Sequence, residues 1–281
     1  MLRAFMPLLG SLELRIVPAY VVSIAQFGAV GDGHTDSTAA IQKALASVPS
    51  GGGMVVVPPG VYEISQSIVI TTSNTSLVGR GAADSEIQLA RGAEVNAIVV
   101  GDATHRPNNV SITLLHVDGH HNGFSQFCAG VFFASGVNAA LVHSRVTGFP
   151  YIGVWTGGGG NSTNVNVLYD TVTDCGSQDV SFGSVTNAAV TGCVLGAPSQ
   201  AWGHGGPWNY QWCMDLEPDP HCSVNHVVVS GNSLFAPNDY PPYGRPIEGV
   251  VNVNPHWGPV IQCYGVNNIV NGHYIRYSRL N

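Results

Sequence analysis

The chain has 281 residues, 44% of them hydrophobic, a formal net charge of −7 and only ten Lys and Arg. That length can bury a sizeable core. The scarcity of basic residues, with Lys43 the sole lysine, leaves no stripe to neutralise a phosphate backbone and argues against a nucleic-acid partner, and no run of eighteen apolar residues exists to cross a membrane as a helix.

Residues 1–25 read as a signal or other N-terminal extension: Met1–Gly10 is apolar, yet Glu13 and Arg15 arrive early and no clean small-residue cleavage site follows. Residues 26–281 read as a single domain, because no linker-like stretch interrupts them. Asp36 is a good helix N-cap, and Ile41, Ala44, Leu45 and Val48 recur at helical spacing, which predicts a short helix from about Asp36 to Ser47. Gly51 to Gly53 end it. Strands follow through Val55 and, after the Pro58-Pro59-Gly60 turn, through Tyr62 and Ile64. A helix laid over the open end of a stacked sheet would protect it from edge pairing.

Further along, one frame recurs. Asn109 with Ile112 and Val117, Asn138 with Leu141 and Val146, Asn164 with Val167 and Val172, and Asn187 with Val190 and Leu195 share a spacing; Asn225 or His226 with Val229 and Leu234, and Asn267 with Val270 and Ile275, extend it. Units of this size predict the coils of a β-solenoid, with stacked Asn side chains forming a ladder at equivalent turns. Thirty-five glycines suit such strands and tight turns, so the expected fold is all-β, a parallel β-helix.

A second strand per coil is expected at Gly130–Phe133, Tyr151–Trp155, Asp179–Phe182, Cys213–Glu217 and Ile247–Val250. Alternation assigns Ile152, Val154, Val180, Phe182, Met214 and Leu216 to the interior. It sends Tyr151, Trp155, Asp179, Ser181, Asp215, Glu217 and Glu248 outward. Asp215 and Glu217 then share one strand face, with Asp179 about 4.8 Å away on the next rung. Carboxylates about 5 to 9.5 Å apart suit glycoside hydrolysis, with or without a covalent intermediate.

The long segments that precede two of these strands carry Trp202, Trp208 and Trp212, and Tyr240, Tyr243 and Arg245. Aromatic faces suit sugar rings. Arg245 is suited to a uronate carboxylate, and His204 or His221 to proton transfer. The expected catalytic set is therefore Asp215, Glu217, Asp179 and His204, and the expected substrate-binding set Trp155, Tyr151, Trp202, Trp208, Trp212, Tyr243, Arg245 and Glu248. No cofactor is required; Ca²⁺ held by Asp215, Glu217 and Asp219 is the alternative use of the same acids. Of six cysteines, Cys213 and Cys222 are the best disulfide pair, and Cys128, Cys175, Cys193 and Cys263 read as buried. His116, His120 and His121 read as surface.

The span from about residue 26 to 89, with Phe27-Gly28-Ala29-Val30-Gly31-Asp32-Gly33, the helix, the Pro58-Pro59-Gly60 turn, Gly79-Arg80-Gly81 and the strand Glu86 to Leu89, resembles the pectate-lyase superfamily. The resemblance implies a right-handed parallel β-helix with an N-terminal capping helix, and a secreted or cell-surface protein, a monomer or homotrimer, whose partner is a polysaccharide. It leaves hydrolase, lyase, C5-epimerase and tailspike-like binding protein open. The polygalacturonase motif order is not present: Gly203-His204-Gly205 precedes the acidic strand instead of following it, and no Arg-Ile-Lys occurs. The leading expectation is glycosidic hydrolysis by Asp215 and Glu217.

Overall fold

The computed structural model describes residues 20–120, 128–196, 212–235, 251–253, 255, 259–270 and 273–279. Among them, seven strands form one parallel sheet, running from Ile68–Ile70 through Ile98–Val100, Ala129–Phe133, Ile152–Thr156, Gln178–Phe182 and Trp212–Leu216 to Val251–Val253. Nineteen others form the remaining walls. Each strand pairs with its equivalent one coil away, so a single column of the interior is filled by Leu141, Val167, Val190 and Val229 in register. This is the parallel β-helix that the repeat predicts.

The Asn frame is set by backbone conformation. Asn74, Asn109, Asn138, Asn164, Asn187, His226 and Gln262 all have positive φ, and Asn tolerates the left-handed region better than other side-chain-bearing residues. Asn side chains form a ladder here, with Asn109 Nδ2 donating to Asn74 at 3.0 Å and Asn164 to Asn138 at 2.7 Å, while Asn138 donates to Asn108, the neighbour of Asn109, at 2.8 Å. Asn267 does not continue this column. It belongs to a second left-handed column, after Leu114, His143, Tyr169, Gly192 and Gly231, because Val270 pairs with Leu234 and not with Val229's row. Ile275 likewise lies in an antiparallel strand, His273–Arg279, folded back on Tyr264–Val270.

The helix spans Thr38–Ala46 and buries Ile41, Ala44 and Leu45. Asp36 accepts the Thr38 N–H at 2.9 Å. Gln42 does the capping of the sheet: its amide donates to Val69 O and accepts from Val69 N, both at 2.9 Å, and so occupies the free edge of the first strand in the seven-strand sheet. The fold also begins ahead of the expected boundary at 26. Tyr20–Ser23 pairs with Gly53–Val56, and Ile24 is fully buried.

Candidate functional site

The seven-strand sheet does not alternate simply. Ile152 pairs with Gln178 and Trp212, and Val154 with Val180 and Met214, while the residues between them, Gly153, Asp179 and Cys213, stand outside the pairing. That residue turns inward. A Cβ on Gly153 would lie 2.4 Å from Val172 Cγ1 and 3.0 Å from the Cys175 sulfur, both inside the coil. Two consecutive residues therefore face the core, and period-two counting fails on their N-terminal side.

This corrects one expectation and qualifies another. Ile152 is buried, as expected, but lies outside the main core cluster and in register with Gln178. Asp179 leaves the outer row: it is 1% exposed. Burial foremost, and then the charge of Asp174, pushes its pKa well above the usual carboxylate range, so its neutral form is favoured. Asp179 is an interior acid beside two buried thiols, Cys175 and Cys213, both of which feel its charge.

The outer row is Phe132, Trp155, Ser181 and Asp215, in register over four rungs. The Phe132 and Trp155 rings stack with centroids 4.4 Å apart and planes 20° apart. Asp215 is 2% exposed, and Gln178 Nε2 donates to its Oδ2 at 3.3 Å. Glu217 lies just past the strand end, half-buried, with its backbone N–H bonded to Phe182 O. The strand expected at Ile247–Val250 lies outside the described residues, as does Glu248; the described strand there is Val251–Val253, which places Asn252 in register with Asp215.

Sequence reasoning treated Asp219 only as a calcium ligand, but the structure ties it to this row. Its Oδ2 accepts the Gly158 N–H at 2.8 Å, and its own N–H bonds to Gly183 O at 2.7 Å. A Cβ on Gly157 would lie 2.8 Å from that same oxygen and 2.6 Å from Trp155 Nε1, so the carboxylate and the indole N–H both reach the ground above Gly157. Burial raises the Asp219 pKa, and the Gly158 N–H pulls it back. The signal for this residue was in the sequence: Gly157 to Gly160 is a run of four glycines, two strands away in the sheet.

Tyr151 immediately precedes the strand that carries Trp155 and is half-buried. Its phenol is pushed up to about 12, first by burial and then by the charges of Asp215, Glu217 and Asp219. One tyrosine and three carboxylates thus share a single electrostatic neighbourhood beside an aromatic stack. Among the described residues, no three carboxylate, imidazole or thiol groups converge to hold a metal ion.

Trp202, His204, Trp208, Tyr240, Tyr243 and Arg245 lie outside the described residues, as does the side chain of Trp212. The Cys213–Cys222 disulfide does not form; all six cysteines are free. Cys213 faces inward, with its thiol 3.3 Å from Phe235 O, whereas Cys222 follows the strand and is half-buried. Cys128, Cys175, Cys193 and Cys263 are buried as expected. His116 is not simple surface, since it is bonded to Glu86 and Thr147 at 2.8 and 2.7 Å.

Residues 21–132 match the family described as "Rhamnogalacturonase A/epimerase, pectate lyase-like". The mannuronan C5-epimerase AlgE2 of Azotobacter vinelandii is 34% identical over 119 residues, 39% of this chain and 12% of that protein. Alginate lyase 7 of the same organism is 34% identical over 109 residues, 36% of this chain and 13% of that protein. The chain thus spans about an eighth of the length of these relatives. The tailspike protein of E. coli bacteriophage HK620, solved with a pentasaccharide, superposes with a TM-score of 0.68 at 16% identity over 88% of this chain and 45% of its own. That likeness shows the fold, a right-handed parallel β-helix. No helix among the described residues is long and apolar enough to cross a membrane.

Proposed function

With residues 21–132 belonging to the rhamnogalacturonase A/epimerase, pectate lyase-like family, we propose that this protein is a carbohydrate-active enzyme that cleaves a polysaccharide on the outer face of its seven-strand sheet. The observation that carries the reading is the row in which the Phe132–Trp155 stack leads through Ser181 to Asp215. A sugar unit rests against the aromatic platform, and the next rungs bring carboxylates to its glycosidic bond.

In this reading, Asp215 and Glu217 divide the work of acid and base. One donates a proton to the departing glycosidic oxygen. The other takes a proton from the water that attacks the anomeric carbon, so the bond to oxygen breaks as the bond to water forms. Gln178 holds Asp215 in place, and Asp219 with the Trp155 N–H orients sugar hydroxyls above Gly157. Trp202, Trp208, Trp212, Tyr240, Tyr243 and Arg245 are proposed to complete the groove, with His204 serving proton transfer. The protein would meet its substrate outside the cell, as a monomer or homotrimer.

A second reading is favoured by the Tyr151 phenol in the field of three acids and by the epimerase and lyase relatives. In it, a base removes the proton α to a uronate carboxylate, and the carbanion so formed either expels the glycosidic oxygen or takes a proton back on its other face. The matched segment ends at residue 132, ahead of Tyr151, Asp215 and Glu217, so the chemistry of those relatives does not transfer with it. Asp215→Asn and Glu217→Gln test the first reading: each should abolish cleavage while leaving the fold intact, and full activity in both would refute it.

A further inference from the structure

The corner after the second left-handed turn of each coil carries an internal polar column. Ser144, Asp170, Cys193, Asn232 and Asn268 directly follow His143, Tyr169, Gly192, Gly231 and Asn267, and all five are buried. The later members act alike. Asn268 accepts the Asn232 N–H at 3.1 Å and donates Nδ2 to Val229 O at 2.8 Å. Asn232 accepts the Cys193 N–H at 2.8 Å and donates Nδ2 to Val190 O at 2.9 Å. Cys193 gives its thiol to Val167 O at 3.3 Å.

The three receiving carbonyls belong to one register column, and its next member is Leu141. Asp170 shows only half of the pattern. Its Oδ1 accepts the Ser144 N–H at 2.7 Å, three residues past Leu141, just as Asn232 and Asn268 accept from the residue three past their own carbonyl partner. Its Oδ2 is buried and has no partner. An ionised carboxylate has nothing to donate to a carbonyl, whereas a carboxylic acid has one O–H, placed where the asparagines carry Nδ2.

We propose that Asp170 is held as the neutral acid, its Oδ2–H donating to the Leu141 carbonyl, so that one coil of an otherwise permanent ladder takes up and releases a proton. The titratable group on the adjoining rung is the Cys193 thiol, itself pushed up to about 12, mostly by burial. His143, Arg145 and Tyr169, on the turns at either side, are exposed. In agreement with the geometry, burial raises the Asp170 pKa to about 7, against the pull of the Ser144 and Leu168 N–H groups.

The sign follows from linkage. A carboxyl with a raised folded pKa binds more protons folded than unfolded, so its stabilising contribution is complete below the ordinary carboxylate range. It is lost as pH rises toward about 7, and the profile is flat above that.

The test compares the parent with Asp170→Asn by denaturant unfolding across that window. The variant's amide supplies the donor at every pH, and Asp179, present in both proteins, cancels in the difference. The parent's unfolding constant should rise relative to the variant's by up to about tenfold per pH unit and then level off; parallel profiles would overturn the proposal. Infrared spectroscopy gives a second readout that does not depend on the variant's stability. In the difference between the two spectra, in which the buried acid Asp179 cancels, the folded parent should show one extra carbonyl stretch of a protonated carboxylic acid that disappears on raising the pH, and an acid band no stronger in the parent than in Asp170→Asn would also overturn it.

Discussion

Gln178 reaches Asp215 across one rung at 3.3 Å, and the two share a face of the sheet because Asp179, between Gln178 and Val180, turns into the coil. The amide on the first rung positions the candidate acid on the next. Gln178→Leu should therefore lower turnover about tenfold or more at nearly constant KM, because the bond holds the candidate catalytic carboxyl in place. Gln178→Glu sets a second carboxylate against Asp215 and should shift the pH–rate profile upward. Unchanged profiles in both variants would remove Gln178 from the site.

Trp155 joins the aromatic platform to the Gly157 ground. Trp155→Ala should raise KM for polysaccharide well beyond its effect on kcat and cost about 1 kcal/mol or more of stability through the lost Phe132 stack. Trp155→Phe should restore much of the binding. Oligosaccharide titration by fluorescence or calorimetry separates the two effects.

Gln42 satisfies both exposed backbone groups of Val69 at the sheet edge. Gln42→Ala leaves them uncovered, with an expected cost of about 1–3 kcal/mol in denaturant unfolding. It should also promote concentration-dependent association, visible by light scattering, because an open strand edge invites pairing.

Gly153 occupies the inward position that Asp179 and Cys213 hold on later rungs. Gly153→Ala should destabilise by about 1–3 kcal/mol, since its Cβ would lie 2.4 Å from Val172 Cγ1 and 2.6 Å from Asp179 O. At Asn138 (φ 50°), Ala should cost about 1 kcal/mol or more through lost ladder bonds and left-handed strain, while Gly avoids the strain term. Thermal unfolding of the three variants checks this ordering.

These positions also show what could be read from the sequence. Asn109, Asn138, Asn164 and Asn187 announced the coils because a left-handed turn selects Asn on successive rungs, and a selected residue type is visible without coordinates. Asn267 misled for the same reason. A second left-handed column holds Leu114, His143, Tyr169 and two glycines, and no shared residue type marks it. Asp179 was misplaced because its strand has two successive inward residues. The hint was the pair of glycines at Gly130 and Gly153, where a Cβ would meet Val146 and Val172 inside the coil. The row Trp155, Ser181, Asp215 was legible because alternation resumes after the irregularity. Asp219 was missed as a groove residue because its link to Gly158 joins segments 61 residues apart.

The central claim is tested most directly by incubating the protein with a panel of polysaccharides that includes pectins and alginate, following reducing ends and the ultraviolet absorbance of unsaturated uronates together, with Asp215→Asn and Glu217→Gln beside the parent. The account predicts reducing ends without absorbance for the parent, and a fall of about 100-fold or more in each variant. Reducing ends and absorbance rising together, or cleavage that survives both substitutions, would contradict it.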